Sequence, residues 1–196
     1  MLPVSRRFPK FQHHQQLVQL PELRRTLSRP SAFGLAEPEL AGHDKCMSFD
    51  TPEGTYGREL PDGKAMREFN QPMIEKIRAG EDVGSVLILT TIGRKSGRPR
   101  ETPVAYFPNA DGTAYIAASA AGSSHHPGWY YNLALDPDCA KVYVKGHEIL
   151  VHAEETHGEE RHKVWDFITA NAPGFADYQK STDRVIPVIK LSPRSQ

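Results

Sequence analysis

Four stretches of the chain concentrate residue types capable of chemistry. The first is Thr90-Thr91-Ile92-Gly93-Arg94-Lys95-Ser96-Gly97-Arg98-Pro99-Arg100, in which four cations fall within seven residues between glycines. Glycine lets a backbone turn and come close to a ligand. Exposed N–H groups beside guanidinium and ammonium groups then suit a phosphate or carboxylate. Each charge-assisted bond contributes about 1.5–3 kcal/mol, so a few anchor an anionic tail. A solvated hairpin loop would have the same composition. The spacing is not that of a phosphate-binding P-loop, which needs four residues between its first glycine and a Gly-Lys-Ser/Thr.

The second stretch, Ala117-Ala118-Ser119-Ala120-Ala121-Gly122, offers small side chains that let a flat ring approach the backbone, and one hydroxyl donor. Close strand packing explains it equally well. The third is His126-Pro127-Gly128-Trp129-Tyr130-Tyr131-Asn132-Leu133. There a Pro-Gly pair opens an aromatic helix, and Asn132 follows Trp129 by one turn. The fourth, running from Pro173 to Arg184, carries Phe175 and Tyr178 three residues apart. They form either an aromatic wall with a phenol for hydrogen bonding or proton donation, or a satellite apolar cluster.

No metal site is expected. His147 and His152 are five apart on a strand and so face opposite ways. Adjacent His125 and His126 rarely converge on one ion without further ligands, and His152, His157 and His162 share no face. Gly97-Arg98-Pro99 resembles a minor-groove hook. A single copy in a chain with 24 basic and 24 acidic residues gives no reason to expect nucleic acid as a partner.

The elements that must position these residues read as α+β. Met66, Phe69, Met73, Ile74 and Ile77 form an apolar stripe at helical spacing, with Pro72 expected to kink the helix or begin it and Gly80 to end it. Val86–Thr91 is a β-branched run for a strand buried on both faces. Thr102–Phe107 and Thr113–Ser119 flank a turn at residues 108–112. Val142 and Val144 lead through Lys145-Gly146 into Ile149–Ala153. Thr156 and Glu159 have capping-box spacing before a helix carrying Val164, Trp165 and Ile168, and Val185–Leu191 closes the sheet with Pro187 at an edge or bulge. Consecutive antiparallel strands with few helices predict a barrel-like sheet, and the absence of βαβ units excludes a Rossmann domain.

Residues 1–60 read as a disordered N-terminal extension and residues 61–196 as the barrel domain. Basic residues dominate the first thirty positions, and Pro30–Asp50 lacks any period. Within the extension, Met47 is an alternative start, and Leu17–Leu27 could lie as a basic amphipathic helix on an anionic membrane, a weak peripheral contact. No apolar run is long enough to span a bilayer. Cys46 and Cys139 suit free thiols in a reducing cytoplasm.

Taken in order, Thr90–Gly97 followed by Pro99-Arg100, Ala117–Ser119, Pro127–Leu133, and Asp177-Tyr178-Gln179 ahead of Thr182-Asp183-Arg184 resemble the deazaflavin-dependent nitroreductase and quinone reductase family. The resemblance spans residues 69–193. It implies a split β-barrel, like those of flavin reductases and pyridoxamine oxidases, that holds coenzyme F420 (8-hydroxy-5-deazaflavin) non-covalently. It further implies that Arg94, Lys95, Ser96 and Arg100 hold the phosphate and acidic tail and that Thr102 and Pro103 line its path. Ala117, Ala118 and Ser119 would face the ring system, Trp129 and Asn132 would complete the pocket, and Phe175 and Tyr178 would border the acceptor. Tyr178 and Ser119 are then the candidate catalytic groups. The implied reaction is hydride transfer from the reduced deazaflavin to a small electron-poor acceptor such as a quinone, an enone or a nitro compound. FMN is the alternative cofactor, and storage of the deazaflavin without catalysis the alternative role. Ala120 replaces a lysine common in the family, and Ala105 and Ser181 replace aromatics of nitro-reducing members, so a quinone or unsaturated ketone fits better than a nitroaromatic.

Overall fold

The computed structural model describes residues 49–194. The suggested start at Met47, Cys46 and the amphipathic segment Leu17–Leu27 lie outside the described residues.

Six strands close into an antiparallel barrel: β1 (Val86–Ile92), β2 (Pro99–Pro108), β3 (Ala114–Ala117), β4 (Ala140–Val144), β5 (His147–Glu155) and β6 (Val188–Pro193). Their spatial order is β1-β2-β3-β6-β5-β4, and β4 returns to β1. Closure removes the free edges of the sheet, as the consecutive strand signals predicted. The β1–β2, β2–β3 and β4–β5 hairpins each turn at a positive-φ glycine, Gly97, Gly112 and Gly146. Lys145 and Gly146 adopt φ of 49° and 83°, the left-handed pair that a two-residue hairpin requires.

Alternation sorts the strand residues into two layers. Leu87 and Leu89, Ile116 and Ala118, Val142, Val151, Ala153, Ile189 and Leu191 face one core, which helix α2 (Gly128–Leu135) fills with Trp129, Tyr130 and Leu133. Each fully buried leucine or isoleucine there contributes about 1.5–3 kcal/mol. On the other face, Phe107, Ala117, Ile186 and Val188 pack beneath helix α3 (Gly158–Asn171), with Phe175 and Tyr178 of helix α4 (Gly174–Lys180) against them. Helix α1 (Gly63–Arg78) lays Ile74 and Ile77 on Ile88.

Several local expectations need correction. Helix α1 neither begins at Pro72 nor stops there. It starts at Gly63, where the Asp62 carboxylate accepts the amides of Lys64 and Ala65 at 2.8 and 2.9 Å, and Pro72 sits inside it. Phe69 leaves the predicted stripe and is 70% exposed, because only the C-terminal half of the helix reaches the sheet. The capping box before α3 does not form. The Thr156 hydroxyl donates instead to the carbonyl of Val188 at 3.0 Å, leaving His157 at the cap position. Strand β6 begins after Pro187, whose ring is buried and whose carbonyl accepts Ala118 N–H at 2.9 Å.

The largest departure concerns Phe49–Leu60, read as part of a disordered extension. These residues form a strap stitched to the barrel by hydrogen bonds. Gly54 N–H donates to Ser124 O and Arg58 N–H to Gly122 O, both at 2.9 Å. Thr55 donates its amide and hydroxyl to Asp183, and Thr182 donates to Tyr56 O at 2.8 Å. A Cβ at Gly57 would intrude into the Ser123–Ser124 backbone, so the strap can lie flush only because that position lacks a side chain.

Candidate functional site

The basic loop leaves β1 at Ile92 and folds back on Gly93, which accepts Ser96 N–H and Gly97 N–H at 3.0 and 2.8 Å. Buried polar bonds hold its base. Asn132 of α2 donates Nδ2–H to Thr91 Oγ1 at 2.9 Å and accepts the amide of Arg94 on Oδ1 at 3.0 Å. Asn132 therefore fixes the loop from below, and Trp129 beside it is 7% exposed in the barrel core. Above this frame Arg94, Lys95, Ser96 and Arg98 are exposed, and Arg100 reaches back to Ser96 Oγ at 3.2 Å. None of the four cations forms an ion pair with a described carboxylate. Unpaired guanidinium and ammonium groups on a rigid turn are what an anionic cofactor tail requires, so the residues present fit such a group.

From Arg100 the expected path runs along β2. Strand alternation puts Arg100 and Thr102 on the face that continues through Val104 and Tyr106 into the barrel core, and Pro103 on the other face, opposite Ile88 of β1. The strand is only partly buried from Arg100 to Tyr106. At its far end Tyr106 pairs with Ile116, next to the alanines. Ala118 is fully buried in the barrel core, and Ala117 is buried beneath α3, so the two alanine side chains point into different layers. What this segment presents is its backbone and the half-buried Ser119.

Beyond Ser119 the chain takes an unusual course. Ala120, Ala121 and Gly122 all have positive φ, at 45°, 50° and 82°. Two consecutive alanines in the left-handed region are strained by about 1–3 kcal/mol each, which surrounding contacts must offset. Two contacts are evident. Gly122 lies against α4, where a Cβ would come within 2.8 Å of Tyr178 O and Ser181 Cβ. Arg184 supplies the other. Its guanidinium, 2% exposed, donates to the carbonyls of Ala118, Ser119 and Ser123 at 3.0, 2.8 and 2.7 Å. Its remaining nitrogen faces His126 Nδ1 at 3.2 Å. Because Arg184 can only donate, His126 accepts on Nδ1 and donates from Nε2 to Thr51 O at 2.9 Å. Burial lowers the His126 pKa and so favours this neutral tautomer. Burial also lowers Arg184 to about 10, still well above neutrality.

This junction connects the loop to the strand end. The Arg94 guanidinium lies 4.4 Å from the Tyr131 ring centre, and Tyr131 meets His126 edge-on at 5.9 Å. His126 in turn meets Arg184, which holds Ser119. Tyr131 also donates to Glu53 of the strap. The cationic loop, the Ser119 turn and the strap thus belong to one network.

Phe175 and Tyr178 meet at 5.8 Å, and Phe175 also meets Phe107 at 5.8 Å. Phe175 is therefore part of the layer under α3. Tyr178 stands at its margin beside Gly122 and faces the Arg58 guanidinium at 5.8 Å. Ala105 lies on β2 opposite Val86, and Ser181 caps α4.

Elsewhere, Asp50, Glu155 and His157 bring ligand-type atoms within 4.8 Å of one another. The sequence reading had considered His157 only with other histidines. The buried Glu155 already accepts the hydroxyls of Thr51 and Tyr130 there. Two surface hollows, of about 230 and 240 Å³, lie beside Phe167 and beside Asp50. Neither is lined by a residue expected to hold cofactor, and both are small for a drug-sized ligand, whose pockets run from about 300 to 1,000 Å³.

The sequence reading missed Arg184, His126, Glu155 and the strap. Thr182-Asp183-Arg184 stood in the resemblance without a role, and the Gly54–Gly57 pair was the available signal for a close backbone approach.

Residues 64–193 match the family described as F420H(2)-dependent quinone reductase. The F420H(2)-dependent quinone reductase Rv1261c of Mycobacterium tuberculosis (strain ATCC 25618 / H37Rv) is 36% identical over 111 residues, covering 55% of this chain and 73% of that protein. A solved structure described as an F420-H2 dependent reductase, FDR-A, superposes with a TM-score of 0.50 at 33% identity, over 55% of this chain and 94% of the other. Another, described as a domain-swapped dimer, gives 0.52 at 30% identity, over 67% of this chain and all of the other. With most of the barrel matched, the chain belongs to the F420H(2)-dependent quinone reductase family.

Proposed function

We propose that the protein binds F420 with its phosphate and acidic tail on Arg94, Lys95, Ser96 and Arg100, and its ring system beside Ser119. A quinone then occupies the space toward Tyr178. The protein is an F420H2-dependent oxidoreductase by family. When bound, the reduced deazaflavin supplies the hydride, and the protein's part is to position, desolvate and protonate. The basic loop fixes one end of the cofactor, and the Asn132–Thr91 frame keeps that loop from yielding. Ser119, with its carbonyl held by Arg184, presents its hydroxyl toward the ring. Tyr178 supplies an aromatic face and a phenol for the acceptor oxygen.

The observation that carries this reading is the network joining the unpaired cations to Ser119 through Tyr131, His126 and Arg184. Oxidation of reduced deazaflavin on adding menadione tests it. Turnover should appear with the intact chain and fall in Tyr178→Phe and Ser119→Ala, with deazaflavin affinity changed less than turnover. Tight binding without transfer to any quinone, enone or nitro compound would instead identify a carrier.

FMN would also place a phosphate on the basic loop, and parallel titration with the two cofactors separates them. Ala105 and Ser181 add no aromatic to the face that Tyr178 supplies, which favours quinones and enones over nitroaromatics.

A further inference from the structure

We propose that Arg58 of the strap is the charge partner of the acceptor, making the site selective for acceptors that carry or develop an oxyanion. This rests on the reading above that the acceptor borders Tyr178.

The strap holds Arg58 in a fixed place. Its amide donates to Gly122 O at 2.9 Å, and Gly57 before it lies flush on the Ser123–Ser124 backbone. Two residues earlier, Tyr56 O accepts the Thr182 hydroxyl at 2.8 Å, and the Asp183 carboxylate accepts the amides of Thr55 and Tyr56 at 2.9 and 3.2 Å. Bonds from both sides therefore clamp the backbone next to Arg58, although its side chain is exposed. That side chain turns toward the Tyr178 ring, 5.8 Å away, a distance at which the ring's electron-rich face attracts a cation. It forms no ion pair with a described carboxylate: the nearby Asp183 is occupied by Thr55 and Tyr56, and Glu53 by His125 and Tyr131. An exposed cation on a clamped backbone, in ion-pair contact with no described carboxylate, thus stands beside the proposed acceptor wall and next to Gly122, which follows the Ser119 turn.

The chemistry gives such a cation a role. A quinone that accepts a hydride gains two electrons and one hydrogen, leaving the deazaflavin oxidised. One C–H bond breaks and one bond to hydrogen forms on the quinone, while an electron pair settles on a carbonyl oxygen. That oxyanion then takes a proton from water or from the Tyr178 phenol to complete the quinol. A guanidinium beside the oxygen favours the charged species over the neutral quinone, which is stabilisation specific to the reacting state.

Binding can be read without turnover. The full chain loaded with oxidised deazaflavin is titrated with menadione, which is neutral, and with 2-hydroxy-1,4-naphthoquinone, which is an anion of similar shape at neutral pH. Quenching of deazaflavin fluorescence reports both. Arg58→Ala should weaken the anion by roughly tenfold while leaving menadione and deazaflavin affinities within about twofold. Arg58→Lys should recover part of the loss. With menadione as substrate, Arg58→Ala should lower kcat more than it raises KM. Equal affinity of wild type and Arg58→Ala for the anion overturns the proposal, as does an equal loss for both naphthoquinones, which would mark the residue as a packing element of the strap. A wild type that binds deazaflavin and reduces menadione while Arg58→Ala matches it in every readout removes Arg58 alone. A wild type that binds no deazaflavin removes the underlying reading and Arg58 with it.

Discussion

Arginine does opposite work in two regions of this barrel. In the Gly93–Arg100 loop the cations are mostly exposed, lack carboxylate partners and stand on a frame of buried neutral bonds. At the junction behind Ser119, Arg184 is buried and spends its donors on three carbonyls and a histidine. An exposed unpaired cation keeps its field available to an incoming anion, whereas a buried and fully bonded one spends it on shape. Charge density along the sequence identifies the first kind and is blind to the second.

That contrast breaks first at Arg184. Arg184→Met leaves Ala118 O, Ser123 O and His126 Nδ1 without that donor, while Ser119 O keeps the Gly122 amide at 2.9 Å; each buried group left unsatisfied costs about 1–3 kcal/mol. Chemical denaturation should show a loss on the order of 4 kcal/mol, with deazaflavin binding falling as the Ser119 turn loses its support. In the loop the order of effects is reversed. Arg94→Ala or Lys95→Ala should weaken deazaflavin binding by about tenfold to a hundredfold, from the loss of one charge-assisted bond, while the unfolding midpoint stays put. Asn132→Leu lies between the two. It removes the partner of Thr91 and of the Arg94 amide, so stability should fall by about 2 kcal/mol and cofactor affinity should drop with it.

A smaller effect should come from His126. Burial holds its pKa below the ordinary 6.5, so between those two values the unfolded chain binds the proton and the folded chain does not. The stabilisation is therefore complete above 6.5 and declines as pH falls beneath it. Thermal unfolding followed from neutral pH to mildly acidic pH should show this slope in wild type and a flatter one in His126→Gln. An unchanged slope would place the titration elsewhere.

The barrel was legible because its signals are local. β-Branched runs, the turn at residues 108–112 and the Lys145-Gly146 hairpin each declare themselves within a few residues. The strap was not, because it has no period and few apolar residues. Its order comes from partners such as Asp183, 128 positions from Thr55. Thr156 misled for a related reason: its spacing to Glu159 suits a cap, yet a distant carbonyl on β6 claims the hydroxyl. Of the candidate site, the loop cations and Asn132 stand out in the sequence. The opposite burial of Ala117 and Ala118, and the dependence of the Ser119 turn on Arg184, required the barrel to be closed.

The central claim is that the basic loop grips the anionic end of the cofactor. It is tested most directly by comparing affinities for F420 and for the same deazaflavin chromophore stripped of its phosphate and acidic tail. Wild type should bind F420 at least about a hundredfold more tightly, and the Arg94→Ala/Lys95→Ala double variant should lose most of that preference. Equal binding of the two chromophores by wild type, or a preference untouched in the double variant, would contradict it.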